Sequence, residues 1–378
     1  MTEMTGGLLL TGASGFVGQS LLMRWLARTD RVATVLIRAA DDDAAHARVE
    51  GLLEGLGASR GQRSRVRVLA ADVTTLDAAD LAQRIVAGPE PIDHVIHSAA
   101  CVRFDQELED ARAVNVGGTR RMLELAERLH AARPLRRYVQ VSTAYVAGCH
   151  DGAFTERDRR IGQTFRNTYE QSKLESEELV SAAAARLPVQ IVRPSIVVGD
   201  RESGWTAAFN VLYVPLRALV AGAVDAVPDF DHGLLDVVPV DYVADGLLGL
   251  ADAPADGRTY HLTAGPHAIT VGQLADATAR ATGRTAPPRV TAETFATILG
   301  GSAAGRVLAA NLGDYLPYLD VRTRFDATGA EAYLAPRGIR VSPLPDYLPR
   351  LIAFAQERRW GRARGALKAA LRPMMPAT

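Results

Sequence analysis

The 378-residue sequence predicts an α/β fold: a doubly wound parallel sheet with helices on both faces, followed by a smaller, mostly helical part. Two observations carry the prediction. The β-rich runs "GLLLTG", "VATVLIR", "RVRVLAAD", "DHVIHSAA", "RRYVQVST" and "PVQIVRPS" alternate with amphipathic segments of Ala, Leu and Arg. Strands separated by helix-length segments mean βαβ units, and their crossovers cover both faces of a parallel sheet. The second observation is the run "TGASGFVG", directly after the strand "LLL" and at the head of the helix "FVGQSLLMRWLAR". It places Gly12, Gly15 and Gly18 where a backbone must turn sharply.

A chain that is 48% hydrophobic and 23% charged is long enough for one large core and a smaller companion. Lys plus Arg and Asp plus Glu both total 43, so no net field draws in nucleic acid or a membrane. The two cysteines, Cys101 and Cys149, have neither CxxC nor His-rich spacing, so neither a disulfide framework nor a metal site is expected. The N-terminus lacks a basic segment ahead of its leucines, unlike a signal peptide. Pro215 and Arg217 interrupt the longest apolar stretch, so no transmembrane segment is expected and a cytoplasmic location fits.

A glycine turn opening a helix lets a pyrophosphate sit on the positive helix N-terminus. Gly12, Ser14, Gly15, Phe16, Val17 and Gly18 are therefore the expected dinucleotide contacts. At the end of the second strand Arg38 comes first and Asp41 to Asp43 lie further out. An arginine there suits a ribose 2′-phosphate, which favours NADPH over NADH, with Arg48 as a second phosphate contact.

"TYEQSK" sets Tyr169 four residues ahead of Lys173, so both project from one helix face. Two readings fit the pair alone. One is a lysine stem packed along a surface ring. The other is a proton donor whose pKa falls beside an ammonium.

The order of the motifs decides between them. The glycine turn, "ADV", "HSAA", "NVGGT", "VSTAYV" and the Tyr169–Lys173 pair, from residue 8 to about 265, resemble the extended short-chain dehydrogenase/reductases, which have a Rossmann fold. The resemblance implies Thr143, Tyr169 and Lys173 as catalytic residues, with Lys173 holding the nicotinamide ribose and lowering the tyrosine pKa. It also implies cofactor contacts from Asp72, Val73, Ser98, Ala99, Ala100, Asn115, Pro194, Ser195 and Ile196. A carbonyl that receives hydride needs a hydroxyl to polarise it and an acid to protonate it. Strand alternation points Ser142 away from the face of Thr143.

The phrases "VRFD" (Val102 to Asp105) and "RPSIVVG" further resemble fatty acyl-CoA reductases and the thioester-reductase domains that end some synthetases. That resemblance implies NADPH-dependent reduction of an acyl thioester, delivered by coenzyme A or an acyl carrier protein, to an aldehyde or onward to an alcohol. Val102 and Phe104 become candidate substrate contacts. Two alternatives stay open: a ketone or alcohol oxidoreductase of the hydroxysteroid or β-keto type, and a non-catalytic dinucleotide sensor.

Residues 1–265 are expected to form the dinucleotide-binding domain, with 201–233 inserted on the substrate side, and 266–378 a helical substrate-binding part. In the insertion Trp205, Phe209, Leu212, Tyr213 and Leu216 recur near helical spacing, as an acyl channel or as a helix packed on the core. The final stretch carries Arg350, Arg358, Arg359, Arg362, Arg364, Lys368 and Arg372 against Glu357. A basic helix there can dock an acidic carrier protein or touch an anionic membrane surface, or be a solvated face. The sequence assigns no oligomeric state.

Overall fold

The computed structural model describes residues 6–361, apart from 210, 231, 255–256, 302–305, 307–308 and 311. Seven parallel strands form the central sheet: β1 (Gly7–Thr11), β2 (Ala33–Ile37), β3 (Val66–Ala70), β4 (Ile92–His97), β5 (Arg137–Val141), β6 (Val189–Pro194) and β7 (Thr259–Leu262). Their order across the sheet is β7-β6-β5-β4-β1-β2-β3. The chain starts in the middle, winds out to β3, then crosses back to β4. This reversal between β1 and β4 opens a crevice at the carboxyl ends of the strands, where open α/β sheets bind ligands.

The strands are mostly apolar because both faces are covered, with buried polar exceptions such as His97, Gln140, Arg193 and His261. Alternation divides them: Leu8 and Leu10 join one core with Leu21, Leu22, Trp25, Val35 and Tyr242, while Leu9 joins the other with Val95, Met122, Leu125, Tyr138 and Val180. Five helices matter for the site: α1 (Phe16–Arg28), α2 (Asp42–Gly55), α3 (Gly118–Ala132), α4 (Thr168–Ala182) and α5 (Val240–Ala251). Burial in the first core holds α1 against α5.

The chain forms two compact units: residues 1–197, 236–268 and 321–341 in the first, and 198–235, 269–320 and 342–378 in the second. The expected split at 265 therefore differs at one segment, because 321–341 returns to the sheet unit. Thr323–Phe325 pairs in parallel with Gly152–Phe154, and Ala330 and Leu334 enter the first core. Glu156 fastens the return, accepting from the backbone N–H groups of His261 at 2.9 Å, Gly329 at 2.8 Å and Ala330 at 3.0 Å.

The second unit carries the helices Tyr213–Ala221, Val271–Thr282, Ala292–Gly301 and Leu344–Glu357 and a short parallel pair, Val227–Pro228 with Arg289–Val290. The insertion is helical only from Tyr213, so Trp205 and Phe209 lie in irregular backbone ahead of the helix. Val211, at φ 47°, adopts a left-handed turn that a β-branched residue rarely takes and that a helix cannot pass through. Leu344–Glu357 closes the described part of the basic stretch, with Arg350 inside the helix and Arg358 just after it. Arg362, Arg364, Lys368 and Arg372 lie outside the described residues. Among the described residues no helix is long and apolar enough to cross a membrane.

Glu156→Leu removes the shared acceptor of three backbone donors, and leaving such groups unpaired costs about 1–3 kcal/mol each where water cannot reach them. The variant should unfold at lower urea than the parent, and amide exchange should accelerate first in 323–334. Uniform exchange across the chain would contradict the staple.

Candidate active site

The glycine turn is built for close approach. Gly12 has φ +73°, and a Cβ there would sit 2.7 Å from the backbone nitrogen of Ala99. A Cβ on Gly18 would overlap the Gly12 carbonyl. Gly15 is the N-cap of α1 and supplies no side-chain bond, so the first N–H groups of that helix face outward without a side-chain cap. Bare helix N–H groups beside a cradle that any side chain would fill fit a dinucleotide pyrophosphate.

One cation bridges the tip of β2 and the glycine turn. Arg48, on α2, donates to the Arg38 carbonyl at 3.1 Å and to the Ser14 hydroxyl at 3.4 Å, which brings Ser14, Arg38 and Arg48 together. Arg38 is exposed. The nearby acids are committed elsewhere. Asp41 caps α2 through Ala44 N–H at 2.8 Å, and Asp42 takes Ala70 N–H at 2.7 Å and a forked bond from Arg84 at 2.7 and 2.9 Å. Asp72 accepts from the N–H and hydroxyl of Thr74, both at 2.8 Å, which shapes the turn after β3 and leaves Val73 against Gly118.

The loop after β4 is tied on both sides. Thr11 Oγ1 accepts from the N–H groups of Ser98 at 3.2 Å and Ala99 at 3.1 Å and lies 2.7 Å from His97 Nδ1. With two donors already on that oxygen, the hydroxyl proton points to Nδ1, so the imidazole proton sits on Nε2. His97 is buried and neutral, its pKa pushed down to about 3 by burial and then by the charge of Lys173. On the other side Asn115 accepts from Cys101 N–H at 2.8 Å and donates to the Cys101 carbonyl at 3.1 Å and to Ser172 at 2.9 Å. Asn115 sits in a π turn, Ala113–Gly117, and hydroxyls of Thr119 and Ser176 approach its carbonyl at 2.7 and 2.8 Å.

Tyr169 and Lys173 leave the first turn and a half of α4, which starts on an Asn167 cap bonded to Glu170 N–H at 3.0 Å. Thr143, just past the end of β5, stands beside Tyr169 and works to lower the pKa of its phenol. The Thr143 hydroxyl oxygen accepts from Tyr145 N–H at 3.2 Å, which starts the short 3₁₀ turn Ala144–Ala147. The Ser142 hydroxyl is buried and meets no partner. Phe104 packs its ring 5.9 Å from that of Tyr169, and Val102 is 60% exposed on the same loop. Pro194 ends β6 and Ser195 and Ile196 follow it, with Ser195 N–H on the Leu262 carbonyl at 3.2 Å and Ile196 N–H on that of Asp236 at 3.2 Å.

One expected effect is reversed. Burial pushes the Tyr169 pKa up to about 12, Thr143 pulls against it, and Lys173 is not among the groups that lower it. The reason is where the ammonium points: Lys173 Nζ donates to the Val141 carbonyl at 2.7 Å. Burial in turn lowers the Lys173 pKa to about 8, against which Glu177 works.

The insertion residues have partners of their own. Tyr213 is buried and accepts from Gly199 N–H at 3.0 Å, and Phe209 packs edge-on to Tyr213 at 5.2 Å and stacks on Phe354 at 6.3 Å. The core packing weighed for the insertion is what the rings of Phe209 and Tyr213 do in this unit; Trp205 lies in the irregular backbone before them. The sequence reading passed over Thr11, His97, Glu177 and Arg193. A signal was present: a charged or polar residue inside an otherwise apolar buried strand or helix needs a built partner.

Sheet order, cradle and the Thr143–Tyr169–Lys173 cluster define a dinucleotide-binding short-chain dehydrogenase/reductase fold. The male sterility protein family of NAD-binding domains matches residues 10–247, and the chain belongs to it. Within that family it is similar to the fatty acyl-CoA reductase named wat of Drosophila melanogaster, 30% identical over 65% of this chain and 54% of that protein. Human fatty acyl-CoA reductase 1 is 28% identical over 68% and 58%. The isonitrile lipopeptide synthase of Streptomyces coeruleorubidus is 30% identical over 71% of this chain and 18% of that much longer protein. The chain thus spans little more than half of the fatty acyl-CoA reductases it matches. Among solved structures, the terminal R domain of the myxalamid biosynthetic pathway aligns over 97% of this chain and 94% of that one, with a TM-score of 0.80 and 24% identity. The likeness to that R domain is one of fold.

The low Lys173 pKa has a measurable consequence. Below about pH 8 folded and unfolded chains both hold the proton; between there and the ordinary 10.5 only the unfolded chain does. Folding stability then rises with pH across that window. Urea unfolding at stepped pH should show the stability of the parent growing relative to Lys173→Met from pH 8 upward. A constant difference would contradict a buried, depressed ammonium.

Proposed function

We propose that this chain reduces an acyl thioester, carried by coenzyme A or an acyl carrier protein, to the aldehyde, and to the alcohol when the aldehyde is held for a second round, with NADPH as reductant. The observation that carries the reading is Thr143 set beside Tyr169, with Lys173 buried one turn along the same helix on the Val141 carbonyl. Relatives named as fatty acyl-CoA reductases support a thioester substrate, and those within peptide synthases support a carrier-bound one.

Gly12, Gly15 and the N-terminus of α1 would hold the pyrophosphate, Arg38 and Arg48 the 2′-phosphate, and the loops at Ser98–Ala100 and Pro194–Ile196 the nicotinamide half. Bound NADPH supplies the hydride. The protein's own part is at the carbonyl oxygen. Thr143 and Tyr169 direct hydroxyl donors at one point, where they favour the negative charge that develops on that oxygen as the carbon becomes tetrahedral. Tyr169 then gives up its proton to the oxygen. Burial holds the Tyr169 proton tightly, with a pKa of about 12, so the transfer relies on the basicity of the oxyanion that hydride addition creates. Lys173, one turn along the helix and held on the Val141 carbonyl, would hold the nicotinamide ribose. Loss of the thiol from the hemithioacetal releases the aldehyde. Phe104 and Val102 present an apolar edge beside Tyr169 that suits an acyl chain.

Purified protein should oxidise NADPH only when an acyl-CoA or acyl carrier protein is added, with aldehyde or alcohol identified by mass. Turnover of a ketone in place of every thioester would replace this reading with the ketone reductase. Tyr169→Phe should lower kcat at least a hundredfold with NADPH affinity kept; full turnover would remove Tyr169 as the acid. Arg38→Ala should narrow the preference for NADPH over NADH, by about tenfold for one lost charge-assisted contact. An unchanged ratio would overturn the assignment of the 2′-phosphate site.

A further inference from the structure

The surroundings of Lys173 carry a further inference, which rests on reading Tyr169 and Lys173 as the proton-handling pair. Of the 43 Lys and Arg residues, two are lysine, Lys173 and Lys368. A chain that uses arginine for nearly every cation keeps a lysine here. An arginine would stay charged in any surroundings, whereas a buried lysine readily loses its proton unless something holds it.

The groups facing Lys173 are few. On its own helix Tyr169 lies a turn before it and Glu177 a turn after; His97 approaches from the end of β4 and is neutral; β5 offers the Val141 carbonyl. Glu177 is the one opposite charge acting on it. The two form no direct ion pair, because both Glu177 oxygens are taken: Arg193, on β6, donates from Nε at 2.9 Å and from Nη2 at 2.7 Å. Both side chains of this pair are 0% exposed.

Arg193 is itself locked. Its Nη1 donates to the Asp158 carbonyl at 2.9 Å and lies 3.1 Å from His261 Nε2, and its guanidinium sits 5.3 Å over the Phe154 ring. His261 stacks on the other partner of that cluster, Phe154, at 6.0 Å. The Glu177 carboxylate therefore cannot swing to the lysine, and it cannot leave.

We propose that Glu177 and Arg193 are positioning residues for Lys173: Arg193 pins the Glu177 carboxylate one helical turn from the ammonium, where its charge acts through the low-dielectric interior to keep Lys173 protonated. A bare ion pair between lysine and glutamate would pull the ammonium off the Val141 carbonyl and away from Tyr169. The pinned carboxylate supplies the field without moving the group.

The small number of lysines makes the test direct. Protein labelled only at lysine side chains gives two NMR signals, and Lys368→Arg leaves that of Lys173, whose titration is read without any substrate. Glu177→Gln keeps a hydrogen-bond partner for Arg193 and removes the charge, so the Lys173 midpoint should fall by about one pH unit or more. Arg193→Gln removes a buried cation and frees the carboxylate, so the midpoint should rise. Opposite signs are what a purely packing role would not produce. If a single variant does not fold, the double Glu177→Gln/Arg193→Gln variant keeps a neutral fork, and its midpoint should lie below that of the parent. An unmoved midpoint in folded Glu177→Gln or in the double variant overturns the inference. The alkaline limb of the kcat–pH profile should follow the NMR midpoint. Midpoints that shift while the kcat limb stays would uphold the charge pair and count against Lys173 in the reaction.

Discussion

The structure turns on a helix that is polar where it is most buried. Glu170, Ser172, Lys173, Ser176 and Glu177 of α4 all lie in the interior. Burying one unpaired polar group costs a few kcal/mol, and an unpaired charge costs much more. Each of these side chains therefore dictates a neighbour: Arg166 beside Glu170, Asn115 on Ser172, the Val141 carbonyl on Lys173, the Asn115 carbonyl on Ser176 and Arg193 on Glu177. Those demands align α4 against β5, β6 and the π turn at once. The geometry of the proposed site is a consequence, since Tyr169 can meet Thr143 only when α4 has that rotation and depth.

The same logic runs through the cofactor side. The sheet reversal opens the crevice, but the two loops that border it are held by a single hydroxyl, Thr11, which joins β1 to the loop after β4. Asn115 clamps the far end of that loop through Cys101. Side chains whose types suggest ligand contact are thus spent on setting loop positions, and the ligand would meet backbone and small residues. Such a division suits a dinucleotide, whose phosphates bind N–H groups at a helix start better than they bind long, mobile side chains.

Much of this was legible in advance because it depends on local rules. The βαβ rhythm marks the parallel sheet, the glycine spacing marks the turn, and one helical turn separates Tyr169 from Lys173. Ser14, Arg38 and Arg48 were singled out from the chain and the fold brings them together. Three features were not legible. The near-helical spacing from Trp205 to Leu216 does not mark one helix, because a left-handed Val211 delays the helix to Tyr213. Residues 321–341 return to the sheet unit through Glu156, a contact between positions far apart in the chain. Lys173 was expected to acidify Tyr169, and burial outweighs it.

What the amino-acid order determined by itself is the class of fold and the place of the cradle, because strand and helix periods and turn chemistry are properties of neighbouring residues, and through its motif order it offers a hydroxyl, a phenol and an ammonium as candidates. What only the tertiary structure decided is the state of those groups. Whether a tyrosine holds its proton, or a lysine keeps its own, depends on how much water is removed and which charges stand nearby. Around Lys173 those charges are Glu177 and the Arg193 that holds it, brought together from α4 and β6, and no local pattern in the chain announces their meeting.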